Sequence, residues 1–389
     1  MCKARSVRPA PPASCEHRPL SVGFDATPLL GAPTGVGQFC AGALAGLAAR
    51  GDVEMSGFAV SWRRRKGIEA LVPDGVATAQ RAMPARPLQW SWRHTERPAV
   101  ERFIGRRDVV HGSNFVVPPT AHAARVVTVH DLTVVLYPEL CDPPTLAFPA
   151  LVRRAAAEGA WVHTPSQYVA DEVVAELGVD AERVRAVHHG VPPLADGAEQ
   201  AGPPPLPEGC RRYVLAVGTV EPRKDYPALV AAFDEIAAGD AEVALVIAGA
   251  DGWGAERLTD AVAASPARQR IVRAGYLSST ALGGALRHAA VLAYPSRYEG
   301  FGFPPLQAMA AGIPVVTTAA GAVPEVVGDA AVVVPLGDVE ALASAIDRVL
   351  AGGPEVAQLV ARGHIRAGRF TWPACAEGLA ALYRDADRA

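Results

Sequence analysis

Glu299 stands at the lip of a glycine loop, Gly300-Phe-Gly302, that runs into Pro304-Pro305 and the helix-forming Ala308-Met-Ala-Ala311. Glycines let a backbone turn tightly and approach a ligand closely. Prolines suit a first helical turn, whose N–H groups lack intrahelical partners anyway. A helix start of this kind gathers free N–H groups at a positive dipole end and favours an anion. The anion would repel a carboxylate, so Glu299 is suited to accept hydrogen bonds from sugar hydroxyls beside a phosphate. The plainer alternative is an acidic residue that only complements the helix dipole.

Arg223 and Lys224 are adjacent cations in Gly218-Thr-Val-Glu-Pro-Arg-Lys-Asp225, between an apolar strand and a helix expected from Tyr226. Aimed at a diphosphate, they would stabilise the charge that grows on a departing nucleotide; otherwise they form a solvated basic loop. Gly35 and Gly37 lie in a second glycine loop, residues 31–38, ahead of a helix expected over residues 39–50. That loop could hold an anion or simply turn. His130 and Asp131 end a buried strand. A histidine there can bond a ligand hydroxyl, act as acid or base, or serve structurally. His111 and Asn114 are weaker versions of the same case. Tyr276 and Leu277 follow another strand, where the backbone could grip a nucleobase edge or form an ordinary junction.

Other chemistries lack their residues. No Asp-x-Asp lies at a strand end, and Asp385-Ala-Asp387 falls near the C-terminus. No His/Cys cluster has metal-ligand spacing, so no metal site is expected. There is no Gly-x-Ser-x-Gly elbow. The first glycine loop lacks the full dinucleotide fingerprint. The six cysteines are scattered without a Cys-x-x-Cys pair, as expected for reduced cytosolic thiols. A net charge of −3 argues against nucleic acid as partner. Residues 1–20 are rich in Pro and Arg and read as a mobile tail without a signal-peptide core. No run approaches the roughly 20 apolar residues of a membrane span. The basic cluster at residues 61–66 could touch an anionic membrane face or be a solvated loop.

Elements must carry these residues to one place. At 389 residues the chain exceeds one core, so two domains are expected. Apolar strand-like runs alternate with helical stretches, the α/β pattern with largely parallel sheets. Strands are expected near residues 21–25, 56–60, 108–111, 125–130, 161–164 and 184–188, then 213–218, 243–249, 271–275, 291–294, 315–318 and 331–334. The most linker-like stretch, residues 196–210, separates the halves. This predicts two doubly wound Rossmann-like domains, 21–195 and 211–370, facing across a cleft, with residues 371–389 as a final helix. The motifs fall at carboxyl ends of strands, where such sheets bind ligands.

From about residue 21 to residue 383 the chain is similar to retaining glycosyltransferases of family four, with the GT-B fold. The matching pieces keep the family's order: residues 21–38, 111–114, 128–131, 163–167, 188–191 and 294–316, and the last helix, which in the family crosses back to the first domain. The resemblance implies that Glu299 contacts the donor sugar as the first acid of the family's Glu-seven-residues-Glu motif. It implies that Lys224 lies on the diphosphate and that His130 reaches the sugar from the other domain. Backbone N–H groups of Phe301, Gly302 and Phe303 would hold sugar and phosphate, and Gly35 and Gly37 would approach across the cleft. It further implies retention of configuration, no metal and no cofactor besides the nucleotide sugar. The acceptor would be a saccharide, a small molecule or a lipid-linked molecule, and the setting the cytoplasm, with or without peripheral membrane contact. The two best-matching motifs are most similar to members acting on cell-surface polysaccharides, which points to a mannosyl donor; glucosyl, N-acetylglucosaminyl and rhamnosyl donors stay open.

The chain departs from the pattern twice. The second acid of the motif, which binds ribose hydroxyls in the family, is Gln307. An amide offers one acceptor oxygen and a donor where a carboxylate accepts twice, so altered ribose binding is expected. Thr219 stands where many members have arginine, and Arg223 is the candidate to supply that cation. Three rivals follow: a nucleotide-sugar isomerase of the same fold, a non-catalytic nucleotide- or sugar-binding module, and a pyridoxal-phosphate phosphorylase.

Overall fold

The computed structural model describes residues 18–31 and 34–389. The expected tail lies outside the described residues up to residue 17, as do Ala32 and Pro33 of the first glycine loop.

Two parallel sheets form. The first contains β1 (Leu20–Asp25), β2 (Val53–Phe58), β3 (Ala77–Thr78), β4 (Val109–Gly112), β5 (Ala124–Thr128), β6 (Trp161–Thr164) and β7 (Val184–Ala186), in spatial order β3-β2-β1-β4-β5-β6-β7. The second contains β8 (Arg212–Val217), β9 (Val243–Ala248), β10 (Ile271–Gly275), β11 (Val291–Tyr294), β12 (Val315–Thr318) and β13 (Val332–Val334), in order β10-β9-β8-β11-β12-β13. Central strands such as β9 are buried along their whole length, as helices on both faces require. The order reverses between β1 and β4 in one sheet and between β8 and β11 in the other. Open α/β sheets bind ligands in the crevice at such a reversal.

Several element bounds differ from the sequence expectation. The second strand starts at Val53 rather than residue 56, and β7 stops at Ala186. The first helix starts at Gly35, so Gly35 and Gly37 form its first turn rather than a loop before it. Thr34 caps it by accepting from the Gly37 N–H at 3.3 Å, and this cap offsets the poor helix propensity of glycine. Helices Ala85–His94 and Phe148–Ala157 have no side-chain cap at their starts.

Two segments tie the domains together. The stretch between the sheets packs on helix Ser279–His288, with Ala198 only 1% exposed. The last helix, Trp372–Arg388, returns to the first domain, where Cys375, Leu379 and Tyr383 join its core. Gly42 makes that docking possible: a Cβ there would lie 2.1 Å from the Trp372 ring.

Candidate active site

The reversal between β8 and β11 gathers the charged residues. After β8 the chain makes a short turn, Pro222–Lys224, which turns both cations toward β11. After β11 it brings up Ser296 and Glu299. Lys224 Nζ donates to Glu299 Oε1 at 2.6 Å and to the Tyr294 hydroxyl at 2.9 Å. Arg223 Nη1 donates to Glu299 Oε2 at 2.6 Å, and its Nε donates to Glu221 at 2.8 Å. Ser296 Oγ also donates to Glu299 Oε1, at 2.7 Å. Glu299 and Lys224 are each 6% exposed.

Burial alone would raise the Glu299 carboxyl, but Arg223 and Lys224 outweigh it and hold it near a pKa of about 2. Burial pulls the Lys224 ammonium below its ordinary value, opposed by Glu299. Burial also acts against the Arg223 guanidinium, yet Glu299 and Glu221 raise it. A buried charge persists only when paired and hydrogen-bonded, and here every charge has a partner. Both oxygens of the carboxylate are engaged, so it fixes two cations at one place.

The glycine loop follows directly. Gly302 has φ 123° and precedes helix Phe303–Ala310, with Pro304 in its first turn. The first N–H groups of that helix have no carbonyl within it to bond. Gly300 lies at a close contact between the domains. A Cβ there would lie 1.8 Å from the His130 carbonyl oxygen and 2.9 Å from Asp131 Cβ.

Further bonds cross the same boundary. Ser166 Oγ donates to the Gly300 carbonyl at 2.9 Å. The Leu132 N–H donates to the Tyr298 hydroxyl at 2.9 Å, and that hydroxyl donates to Glu172 at 2.5 Å. Glu325 accepts from the Gln167 and Tyr168 N–H groups and bonds His188 Nε2 at 2.7 Å. Glu325 thereby adds negative charge to the N-terminus of helix Gln167–Leu177, the favourable end for it.

The first domain offers rings in place of charges. His130 Nε2 bonds the Ser113 carbonyl at 2.8 Å. A carbonyl only accepts, so Nε2 carries the proton and, in the neutral ring that burial favours, Nδ1 is left as an acceptor. His189 is sandwiched between Phe39 (centroids 4.3 Å apart) and Phe303 (5.6 Å), with neither ring nitrogen hydrogen-bonded. Behind it, His111 bonds Tyr383 and Thr128, each at 2.7 Å, and Thr128 bonds His163 at 2.9 Å. His111 is thus a satisfied structural histidine that fastens the last helix.

The structure therefore brings Arg223, Lys224 and Glu299 into direct contact and sets His130 against the glycine loop. Gly35 faces the Phe303 ring across the cleft. The Phe301 and Phe303 side chains join the aromatic cluster, leaving only their backbones for an anion. Gln307 is buried in helix Phe303–Ala310, 7% exposed. Thr219 follows β8 without joining the charged cluster. Tyr276 is 57% exposed beyond β10, the edge strand two places from β8, and Leu277 packs against the core from there. Sequence reading missed Tyr294, Ser296, Glu221 and His189; a Tyr or Ser before a Glu carries no pattern of its own. Among the described residues, no group of three or more His, Cys, Asp or Glu could hold a metal ion, and no helix is long and apolar enough to cross a membrane.

Along most of its length the chain is similar to known proteins. The family model "Glycosyl transferases group 1" matches residues 203–365, and "Glycosyltransferase Family 4" matches residues 33–193. The O-antigen chain mannosyltransferase B of Escherichia coli is 29% identical over 280 residues, covering 69% of this chain and 71% of that protein. Sucrose-phosphate synthase from Thermosynechococcus elongatus superimposes with a TM-score of 0.70 at 20% identity, over 94% of this chain and 98% of that one. HepE of Anabaena, solved with UDP and glucose, superimposes with a TM-score of 0.68 at 16% identity, over 94% and 100%.

Proposed function

The chain belongs to the family-four glycosyltransferases of GT-B fold, and we propose that it is a retaining, metal-independent hexosyltransferase using a nucleoside-diphosphate sugar. The observation that carries this reading is the Arg223–Glu299–Lys224 cluster at the β8/β11 reversal, beside the start of helix Phe303–Ala310. A diphosphate at that helix start would meet backbone N–H groups and two held cations. Arg223 supplies the cation that Thr219 does not. Glu299 keeps both cations in place and offers its oxygens to sugar hydroxyls. His130 offers Nδ1 from the other side of the cleft.

The reaction proposed is a front-face displacement. The bond from the anomeric carbon to the diphosphate oxygen breaks, and the bond to the acceptor oxygen forms on the same face. The acceptor's proton passes to the departing phosphate oxygen. Domain contact at Gly300 fixes donor and acceptor in one geometry, which supplies much of the rate of such a reaction. Mannose is the preferred sugar, supported by the O-antigen mannosyltransferase relative, and polysaccharide or glycoconjugate synthesis is the setting. Gln307 gives the ribose one acceptor oxygen and one donor where the family has a carboxylate.

Calorimetric titration with GDP, UDP, ADP and dTDP, each with EDTA, tests the donor site. One nucleotide bound without metal, with turnover of its sugar to an axial product by NMR, is the expected result. Binding of none, or an inverted product, sinks the reading. Turnover of the donor with no acceptor present to a rearranged sugar favours the isomerase.

A further inference from the structure

Parallel strands usually need a crossover helix between them. The β4–β5 crossover, residues 113–123, has none; it is an extended strap. The strap folds straight back over the strand it leaves. A Cβ on Gly112 would lie 1.9 Å from the Val116 carbonyl oxygen. Phe115 holds φ 56°, a left-handed conformation that non-glycine residues adopt under constraint. Its ring stacks on Phe148, centroids 5.1 Å apart.

Where the crossover helix would lie, a cavity of about 550 Å³ remains, the size of a small-molecule site. It opens at the β1/β4 reversal, where Asp25 ends β1 and Asn114 follows β4. Thr34 and Val36, beside the Gly35 that faces Phe303, line the same end. Trp92, Val117, Phe148 and Leu151 make the middle apolar. At the far end, near the start of β5, Arg125 and Arg154 are each paired with both Glu96 and Glu158. Those charges cancel, so this end does not call for an anion. At the open end Asp25 Oδ1 receives both the Thr27 N–H (2.9 Å) and the Thr27 hydroxyl. Asp25 Oδ2 has no partner among the described residues.

We infer that this cavity is the acceptor site and takes a neutral hexoside with an apolar aglycone, its hydroxyls bonded by Asp25 Oδ2 at the mouth and its aglycone against Trp92, Phe148 and Leu151. This rests on the transferase reading for the word acceptor, and on the cavity alone for the ligand class. Asp25 acts as a positioning residue toward the ligand hydroxyl. Asn at this position keeps an oxygen for Thr27 and turns the pocket-facing acceptor into a donor.

The full chain would be titrated with methyl and octyl α-mannoside, the latter below its micelle concentration, and in parallel with the four nucleoside diphosphates. Octyl mannoside should bind at least about tenfold tighter than methyl mannoside, since each buried methylene adds roughly 0.8 kcal/mol, about fourfold. Asp25→Asn should weaken both glycosides about fivefold or more. Leu151→Trp, which fills the apolar middle, should weaken only the octyl glycoside. Both variants should bind nucleotide as the parent does. Equal binding of the two glycosides, no glycoside binding, or an unaltered Asp25→Asn overturns the inference. If a variant fails to fold, the two-glycoside comparison on the unaltered chain decides. Glycoside binding with no nucleotide bound supports the ligand class and removes the acceptor role along with the transferase reading.

Discussion

Across the cleft, the second domain presents Arg223, Lys224 and Glu299, charges held in mutual hydrogen bonds, whereas the first presents His130, His189 and Phe39, rings packed with little polar partnership. Both groups are removed from water, and they resolve that cost differently. A guanidinium, an ammonium and a carboxylate can stay charged together when each compensates another. An imidazole can instead give up its proton, so burial pushes His189 well below its ordinary value and His163 to about 3. One side of the cleft therefore carries fixed charge, which the proposed function assigns to a phosphate, and the other carries neutral surface against which the domains close.

The largest effect should come from Glu299→Ala. It removes the shared partner of two buried cations, so turnover should fall roughly 10³-fold and stability by about 3–5 kcal/mol. Steady-state kinetics and urea unfolding check this, and near-normal turnover would mean the carboxylate is only structural. Next is Gly300→Ala, which drives a methyl into the His130 carbonyl. Holding the domains apart should cost about 10²-fold in turnover and leave nucleotide binding to the second domain intact. Equal loss of both would show that the contact shapes the donor site itself.

Arg223→Ala should cost less, about tenfold, because Lys224 still holds the carboxylate and the diphosphate charge; each tenfold is about 1.4 kcal/mol. Unchanged donor turnover would remove Arg223 from the site. A separate effect is thermal and distinguishes the two sides by pH. The buried histidines have folded values below their unfolded value near 6.5. Stability is unaffected above pH 6.5 and is lost as pH falls below it, by about 1.4 kcal/mol per unit for each ring that stays neutral, down to about 3 for His163. Glu299, near 2 in the folded chain and 4.5 unfolded, contributes fully above pH 4.5 and loses its share only from 4.5 down to 2. Calorimetric melting should thus weaken first between pH 6.5 and 5, through the first domain. A melting temperature flat across that window would contradict the neutral, unpartnered state of His189.

The charged side of the cleft was legible because its residues lie in two short motifs, each hung on a strand end. Glu299 sits with its glycines, and Arg223 with Lys224. Parallel β8 and β11 are neighbours, so two separate strand-to-helix turns had to meet. The ring side was not legible. His189 acquires its surroundings from Phe39 and Phe303, which belong to distant parts of the chain, and no local spacing records that. The cavity above β4 was equally hidden, because it arises from a helix that the strap at residues 113–123 omits.

What the sequence by itself determined was the alternation of buried strands and helices, the division into two halves, and the glycine–proline turns that expose a helix start. Those follow from local propensity and periodicity, which act over a few residues. Only the tertiary structure decided which partners Glu299 holds, that Gly300 abuts His130, and that Asp25 faces an apolar cavity. Those are matters of strand order and domain docking, set by packing between residues far apart in the chain, where Gly300 and Gly42 leave room for a hydrogen and none for a methyl.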